Sequence, residues 1–452
     1  CTMRRGGTRT FLQVISFFIF FFASGCISCP AAEPAEKEMT VEEAIMIGLQ
    51  NNYNIRIARN TARIAENNRG RGLAGFLPKL DAAESYRYDG VNENTGSPAS
   101  FGNSDTRLWT SDIQLSWTLF DGFRMFADKR RYDELARAGT SQSRDQIEST
   151  VVSIMASFFN LVQQQQLLDV ALTNRDISRV RLDREEIRQE LGGASSTDIL
   201  NARVDFNKDQ STLLDQELVV TIARNDLNIL LARDPLDPLN VVQDIQVEPL
   251  KHSFDELLAM ARDRNSTLRT ARYNQNASEE NVRIAKSAFW PRVDLSGIYG
   301  YSDRSLFGRD VGPMADRNAH AINAGVGLVM SFNMFNGDID RINLQNSRIE
   351  SINSMLNVRD IENRIAGLMQ EKYTTFLKRM EKLRLEEQNL DTARLNLERQ
   401  KERYATGASD SLDFRDAQVN YAQAQVRLIV ARYDARIAQL EVEKLTSRIA
   451  ID

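Results

Sequence analysis

The sequence predicts an α+β membrane protein in which one structural unit occurs twice, giving four transmembrane β-strands and long coiled-coil helices per chain. Three observations support this fold class. The two halves of the chain align with each other, several segments alternate apolar and polar residues, and long helical patterns run without interruption. No proline falls between Pro98 and Pro235, or after Pro313, so nothing in those stretches breaks a helix.

The internal repeat is the strongest of these signals. Residues 54–88 align without gaps onto residues 267–301, and farther along Phe120-Asp121-Gly122 aligns with Phe335-Asn336-Gly337. The offset changes only from 213 to 215 residues, which indicates a duplicated unit rather than two unlike domains. The predicted segments are residues 40–232 and 253–448 for the two repeats, 233–252 for the linker between them and 449–452 for the C-terminal end.

The start of the chain has the features of an export signal. A basic beginning and the apolar run from Phe11 to Ala23 predict a signal peptide over residues 1–25, followed by a linker at 26–39. The tetrapeptide before and including Cys26 resembles a lipoprotein cleavage site, so Cys26 is a candidate for lipidation, with ordinary signal cleavage as the alternative. The other two cysteines also lie in or beside this leader, so the mature core offers no thiol chemistry.

Each repeat is predicted to contain the same elements in the same order, namely a helix, two strands around a polar loop, a long helix and a shorter helix. In the first repeat these are residues 40–75, 80–89, 90–107 (the loop), 109–119, 123–191 and 197–232. In the second repeat they are residues 253–288, 293–301, 302–320 (the loop), 322–334, 338–404 and 410–447. Apolar residues at alternating steps of four and three predict a coiled-coil seam in each long helix. The seam residues are Ile147, Val151, Ile154, Phe158, Leu161, Leu168 and Leu172, and then Met369, Tyr373, Phe376, Met380, Leu383 and Leu390.

The strands have one apolar face and one small, polar face, which is the pattern of strands in an outer-membrane barrel. The residues predicted to face lipid are Trp109, Ile113, Leu115, Trp117, Val326, Leu328, Met330 and Phe332. Four strands cannot close such a barrel, and two chains would give eight strands with an interior filled by side chains. Three chains would give twelve strands and room for a lumen, so a trimer is the smallest open pore.

The helices agree with this geometry. The two long helices would each span roughly 100 Å at 1.5 Å per residue. The shorter helices are about half that length and would match the long ones if they stack end to end in pairs. Each chain would then supply four helical columns, and a trimer would supply twelve.

Two glycine-containing turns separate the long helices from the shorter helices that follow them. Gly192 and Gly407 each end a helical pattern, and Asp198 and Asp413 lie near the start of the next. Glycine tolerates the left-handed backbone of a helix C-terminus, and an acid near a helix start suits the helix dipole. From these residues alone, ordinary helix-hairpin turns explain the pattern.

Taken together, these features resemble the TolC-type outer-membrane efflux protein family. The resemblance is carried by the duplicated unit, by Leu77-Pro78 and Trp290-Pro291 between helix and strand, by the Phe-Asp-Gly and Phe-Asn-Gly segments between strand and helix, and by the glycine turns. It implies a homotrimer with a twelve-stranded β-barrel in the outer membrane of a Gram-negative bacterium and an α-helical tunnel across the periplasm. It also implies passive conduction without a cofactor, with an inner-membrane pump and a periplasmic adaptor as partners.

The resemblance further implies roles for residues at the glycine turns. The predicted periplasmic entrance gate comprises Asp413, Asp416, Asp198 and Tyr404, and the predicted adaptor-contacting tips comprise Gly192, Thr197, Gly407 and Ser409. Asp413 and Asp416 are three residues apart and share one helix face, so three copies would form a ring of six carboxylates that attracts cations. Ser409 stands where the family often has an arginine that ties the closed tip together, which puts that connection in doubt.

Other functions are less well supported by the sequence. His252 and His320 have no partners at metal-ligand spacing, and no phosphate-binding loop or nucleophile motif occurs, so we expect no enzyme activity and no metal. The balanced charge gives no indication of nucleic-acid binding. Two alternatives remain open: a type I protein secretion channel, and an envelope coiled-coil protein without a pore.

Overall fold

A computed structural model describes residues 38–94, 101–191, 195–308, 318–409 and 411–449. Within these ranges the helices are α1 (Val41–Asn51), α2 (Tyr53–Asn67), α3 (Arg124–Glu190), α4 (Ser196–Leu230), α5 (Phe254–Arg264), α6 (Ser266–Ser287), α7 (Ile339–Ala405) and α8 (Ser411–Leu445). The strands are β1 (Lys79–Asn94), β2 (Phe101–Asp121), β3 (Arg292–Gly308) and β4 (Asn318–Ser331). None of the described helices is both long enough and apolar enough to cross a membrane.

The four strands form one antiparallel sheet in the order β1-β2-β3-β4. Ile113 of β2 lies opposite Ala82 on one side and Tyr299 on the other, and Tyr299 lies opposite Ala324. Because neighbours in register share a face, this face of the sheet is mainly apolar, as the alternation predicts. We call it the outer face.

The strands are longer than predicted. Residues 90–107 and 302–320 were expected to be loops, but β1 and β2 pair up to Asn94 and Phe101, and β3 and β4 pair up to Ser305 and Asn318. The prediction was wrong because alternation of apolar residues reports burial of one face, whereas backbone pairing can continue where both faces are polar. The loop assignment overlooked this extension of both hairpins.

Two consecutive left-handed residues turn each hairpin into its long helix. Gly122 and Phe123 both have φ of 68°, and Gly337 and Asp338 have φ of 67° and 63°. A Cβ atom on Gly122 would lie 2.5 Å from the carbonyl oxygen of Ser287. Glycine is therefore required at position 122 by its conformation and by close packing against the end of α6.

The coiled-coil seam of the long helices is confirmed. Val151, Ile154 and Leu161 of α3 are fully buried, and Met369 and Phe376 of α7 are buried in the equivalent helix. Both long helices contain 67 residues, which corresponds to a length of about 100 Å. Packing of α3 against α4 and of α7 against α8 gives two long helix pairs per chain.

The first helix of each repeat is interrupted, contrary to the prediction of one helix over residues 40–75 and one over 253–288. Asn52 separates α1 from α2, where its side-chain oxygen accepts from the backbone of Asn54 at 2.9 Å. Its amide nitrogen also donates to the carbonyl of Leu230, the last residue of α4, at 2.7 Å. Asn265 makes the equivalent contact to Leu445, the last residue of α8, at 3.3 Å.

These asparagines explain how the shorter helices stack. Each one caps the start of a helix and also binds a free carbonyl at the end of another, so that α2 continues the column of α4 and α6 continues that of α8. The sequence pattern did not reveal the break, because asparagine in a polar stretch of a helix looks unremarkable. Around the Asn52 junction, buried residues of α1, α3, α4 and the inter-repeat linker form the largest described apolar core.

Candidate functional site at the helix tips

The turn between α7 and α8 is built around Gly407. The amide of Ala408 donates to the carbonyl of Arg403 at 2.8 Å, and the amide of Gly407 donates to that of Tyr404 at 3.3 Å. Gly407 has φ of 74°, and a Cβ there would meet no atom within 4 Å. Its backbone conformation, and not close packing, therefore favours glycine. Gly192, the corresponding prediction in the first repeat, lies outside the described residues.

The start of α4 is held by a reciprocal cap. Asp198 accepts from the backbone amide of Ser195 at 3.0 Å, and the backbone amide of Asp198 lies 3.2 Å from the Ser195 hydroxyl oxygen that caps it. The hydrogen bonds from the backbone and then the hydroxyl of Ser195 lower the pKa of Asp198 below its usual value. The observed role of Asp198 is thus helix capping, while Thr197 is exposed in the same first turn.

Asp413 lies in the first turn of α8 and Asp416 in the next turn, and both are exposed. The hydroxyl oxygen of Ser409 lies 3.1 Å from Asp413 Oδ2 and 3.2 Å from Gln400 Oε1. Ser409 therefore contacts only residues of its own helical hairpin through these bonds. It does not make the connection to another helix pair that the resemblance implies for an arginine at this position.

A tyrosine connects the two helix pairs instead. Tyr404 of α7 is buried, and its hydroxyl donates to Glu185 of α3 at 2.6 Å. Its ring stacks on Phe414 with centroids 5.2 Å apart, and the guanidinium of Arg184 lies 4.2 Å from the ring centroid. Burial, followed by the hydrogen bond to Glu185, raises the pKa of Tyr404. The hydroxyl therefore stays neutral and able to donate.

A second connection was missed by the sequence analysis. Arg415 of α8 donates to both carboxylate oxygens of Asp209 on α4, at 2.8 and 3.1 Å, and to Ser178 on α3 at 3.1 Å. Its Nε lies 3.6 Å from Asp205, which also accepts from Arg181 at 2.7 Å. The side chains of Arg415 and Asp209 are only 12% and 14% exposed.

These contacts bind α8 to both helices of the other pair. A bidentate arginine–carboxylate pair fixes geometry as well as charge, and this one is largely shielded from water. Arg415 lies between Asp413 and Asp416 in the sequence, and Asp205 and Asp209 are four residues apart on one helix face. That spacing was the available signal, but an unaligned sequence gives no indication of which acids an arginine meets across helices.

The residues predicted to face lipid occupy one end of the outer face. Trp109, Ile113, Leu115 and Trp117 alternate along β2, and Val326, Leu328 and Met330 do so along β4. Phe332 lies just beyond the last residue of β4. Their contact with lipid remains a prediction, as does lipidation of Cys26, which lies outside the described residues. In the part of the chain that the structure describes, no cluster of His, Cys, Asp or Glu could hold a metal ion.

Comparisons with known proteins agree with this architecture. The profile of the outer membrane efflux protein family matches residues 45–233 and 257–448, one segment in each repeat. Outer membrane protein TolC of Escherichia coli K12 is 22% identical over 81% of this chain and 74% of its own length. Outer membrane efflux protein BepC of Brucella suis is 20% identical, over 91% of this chain and 86% of its own.

The fold also matches a solved channel. The CmeC outer membrane channel of Campylobacter jejuni superposes with a TM-score of 0.76, covering 90% of this chain and 85% of that one, at 14% identity. Such channels are trimers that combine a β-barrel in the outer membrane with a helical tunnel in the periplasm. The four-stranded sheet and the two long helix pairs correspond in fold to one subunit of such a channel. The match to the efflux-protein profile shows that the alternative of a coiled-coil protein without a pore is wrong. The chain belongs to the outer membrane efflux protein family and is a subunit of an outer-membrane efflux channel, not an enzyme.

Proposed function

We propose that the trimer forms the passive exit duct of a tripartite exporter, supplied by an inner-membrane pump through a periplasmic adaptor. In this proposal the helix tips close the duct at rest, and the adaptor engages them around Thr197, Gly407 and Ser409, together with Gly192. Thr197 and Gly407 are exposed at the two turns, which supports their availability to a partner.

The proposal of a gate at the tips is supported by two connections between the two helix pairs of one chain. Tyr404 and Arg415 hold the α7–α8 pair to the α3–α4 pair through Glu185 and Asp209. Spreading the tips moves one pair relative to the other, so it must break these contacts. The closed state is therefore stabilised by contacts within each chain, without the arginine that Ser409 replaces.

The acidic residues set the charge preference of this entrance. Asp413 and Asp416 lie on the same face of α8, next to the turn, and both are exposed. Three chains would bring six carboxylates around one axis. Such a ring attracts cations and repels anions, and multivalent cations should block it.

The test is single-channel conductance of the purified trimer in a planar bilayer, with a trivalent cation added to either side. We expect cation-selective steps that are blocked from the tip side only. In the double variant Asp413→Ala with Asp416→Ala, cation selectivity and cation block should both fall. The control Asp255→Ala with Asp263→Ala removes two exposed acids of α5 and should change neither property. Unchanged block in the first double variant would remove the acids from the entrance. Absence of conductance steps both in the unmodified trimer and in Arg415→Gln, which breaks one of the contacts between the helix pairs, would contradict the duct.

A further inference from the structure

A groove lined by arginines lies between α2, α3 and α6, far from the helix tips. It has a volume of about 340 Å³ and is bordered by Arg69, Arg137, Arg144 and Arg269, with Glu66 and Asp133 as the only lining acids among the described residues. Its lining residues thus carry two more positive than negative charges. Thr140, Ser141 and Tyr273 add hydroxyl groups to the same walls.

Three of these guanidinium groups retain donors for a ligand. Arg137 donates through Nη1 to Glu134 at 2.7 Å, and Arg144 donates through Nε to Glu148 at 2.9 Å, both acids lying outside the groove lining. Arg269 reaches only a tyrosine hydroxyl, at 3.4 Å, and has no carboxylate partner among the described residues. The side chains of Arg137 and Arg144 are 60% and 52% exposed, so the guanidinium N–H groups that these two bonds leave over are open to an incoming anion.

The groove opens on the outside of the tunnel rather than into its lumen. Phe120 is opposite Val293 in the sheet and so belongs to the outer face. Its ring contacts that of Phe123 at 5.2 Å between centroids, and Phe123 is next to Phe126 at 6.4 Å. Phe126 therefore marks the outward side of α3, immediately below the barrel.

The geometry of α3 shows that two of the groove arginines lie on the same outward side of the helix as Phe126. Arg137 and Arg144 follow Phe126 by 11 and 18 residues, so at 100° per residue they lie within about 20° of the same helix face. At 1.5 Å per residue they are about 16 and 27 Å farther into the periplasm. A bilayer's polar layer is only about 5 to 8 Å thick on each side of its hydrocarbon core, so both arginines lie below the lipid headgroups.

We propose that this arginine groove binds carboxylate groups of the peptidoglycan, and so holds the channel in the cell wall. Guanidinium groups recognise carboxylates with paired, directional hydrogen bonds. At this depth outside the tunnel, the stem peptides of the wall present such groups as a repeating polymer. The inference depends on the outer-membrane placement of the fold and not on the gate at the helix tips.

The test measures cosedimentation of the purified trimer with isolated peptidoglycan sacculi. In Arg137→Gln with Arg269→Gln, the apparent affinity should fall by about tenfold, because two solvent-exposed charge-pair contacts are lost. The matched control, Arg179→Gln with Arg264→Gln, removes two arginines that are each 61% exposed elsewhere and should bind like the unmodified protein. Sacculi whose carboxylates have been amidated with carbodiimide and ammonia should not retain the unmodified protein.

Several results would overturn the inference. Equal binding by the two double variants, or undiminished binding to amidated sacculi, would exclude the groove or the carboxylates. If the groove variant instead loses flotation with phosphatidylglycerol vesicles while still binding sacculi, the ligand is a lipid. The single variant Arg269→Gln controls for misfolding, because Arg269 has no carboxylate partner among the described residues. It should still weaken cosedimentation, while the heat-resistant trimer and its conductance are unchanged.

Discussion

Replacing Arg415 with glutamine is the most direct test of how the tips stay closed. The substitution keeps a polar side chain of similar reach but leaves Asp209 without its cation. Removing one partner of a fully buried ion pair costs about 3–5 kcal/mol, and exposed pairs contribute less than about 1 kcal/mol. Since the two side chains are 12% and 14% exposed, we expect a cost between these limits, about 2 kcal/mol per chain.

That free energy belongs to the closed state if the contact breaks when the tips spread. A change of about 2 kcal/mol alters an equilibrium by about 30-fold, so the ratio of closed to open tips should fall by that factor in each chain of Arg415→Gln. The assay is open probability and conductance in planar bilayers. The control is Arg394→Gln, since the pair of Arg394 with Asp391 on α7 is 56% and 71% exposed and should contribute little.

A double-mutant cycle separates a gate contact from a merely structural one. Asp209→Asn alone should also open the tips, and combining it with Arg415→Gln should cost less than the sum of the two changes, because the partners form one contact. Tips that remain closed in Arg415→Gln, with the trimer intact, would refute the reasoning. Additive effects of the two substitutions would show that the residues act independently.

Three further predictions concern other parts of the chain. Tyr404→Phe should destabilise the closed tips by about 1.5 kcal/mol, which is less than the effect of Arg415→Gln. The raised pKa keeps the tyrosine neutral, so the stabilisation that its hydroxyl provides is lost only as pH rises through that raised value. The difference in conductance between Tyr404→Phe and the unmodified protein should therefore be constant from about pH 5 to about pH 9. The control Tyr421→Phe should have no effect. Gly122→Ala should destabilise the fold by about 3 kcal/mol, through backbone strain and overlap of the new Cβ with neighbouring atoms, and should lower the temperature at which the trimer dissociates. The control Gly367→Ala lies at an open helical position and should not lower that temperature. Glu443→Gln should raise the thermal midpoint at neutral pH, because burial raises the pKa of Glu443 and makes its ionised form unfavourable in the fold; the gain should vanish below about pH 4, where the carboxyl is protonated in both states.

The repeat, the seams and the strand faces could be predicted because each is a local pattern repeated in the sequence. Val151 and Phe376 are buried where heptad spacing places them, and Ile113 has the apolar neighbours that its alternation requires. Gly407 adopts the left-handed conformation expected of a helix C-terminus. Local periodicity is sufficient for these features because the same contacts recur at each turn or each second residue.

The parts that could not be predicted depend on single long-range contacts. Asn52 breaks a helix because it can also reach a carbonyl 178 residues away, and nothing near it in the sequence reveals that carbonyl. Arg415 similarly meets Asp209, which lies 206 residues earlier. The predicted gate therefore included the exposed acids near the turn but missed the partly buried ion pair that connects the helices.

The same contact shows where the two repeats have diverged. At the repeat offset of 215, Arg415 corresponds to Leu200, an exposed residue of α4, whereas Asp413 corresponds to Asp198, so the shared turn carries different side chains. The α7–α8 pair reaches the α3–α4 pair with Tyr404 and Arg415, and Gln189 and Leu200, their counterparts in the first repeat, make no equivalent described contact. Duplication thus explains the common backbone, while the contacts between the helix pairs are made by side chains in which the repeats differ. Release of these contacts would free the two helix pairs to move relative to each other even though they share one backbone plan.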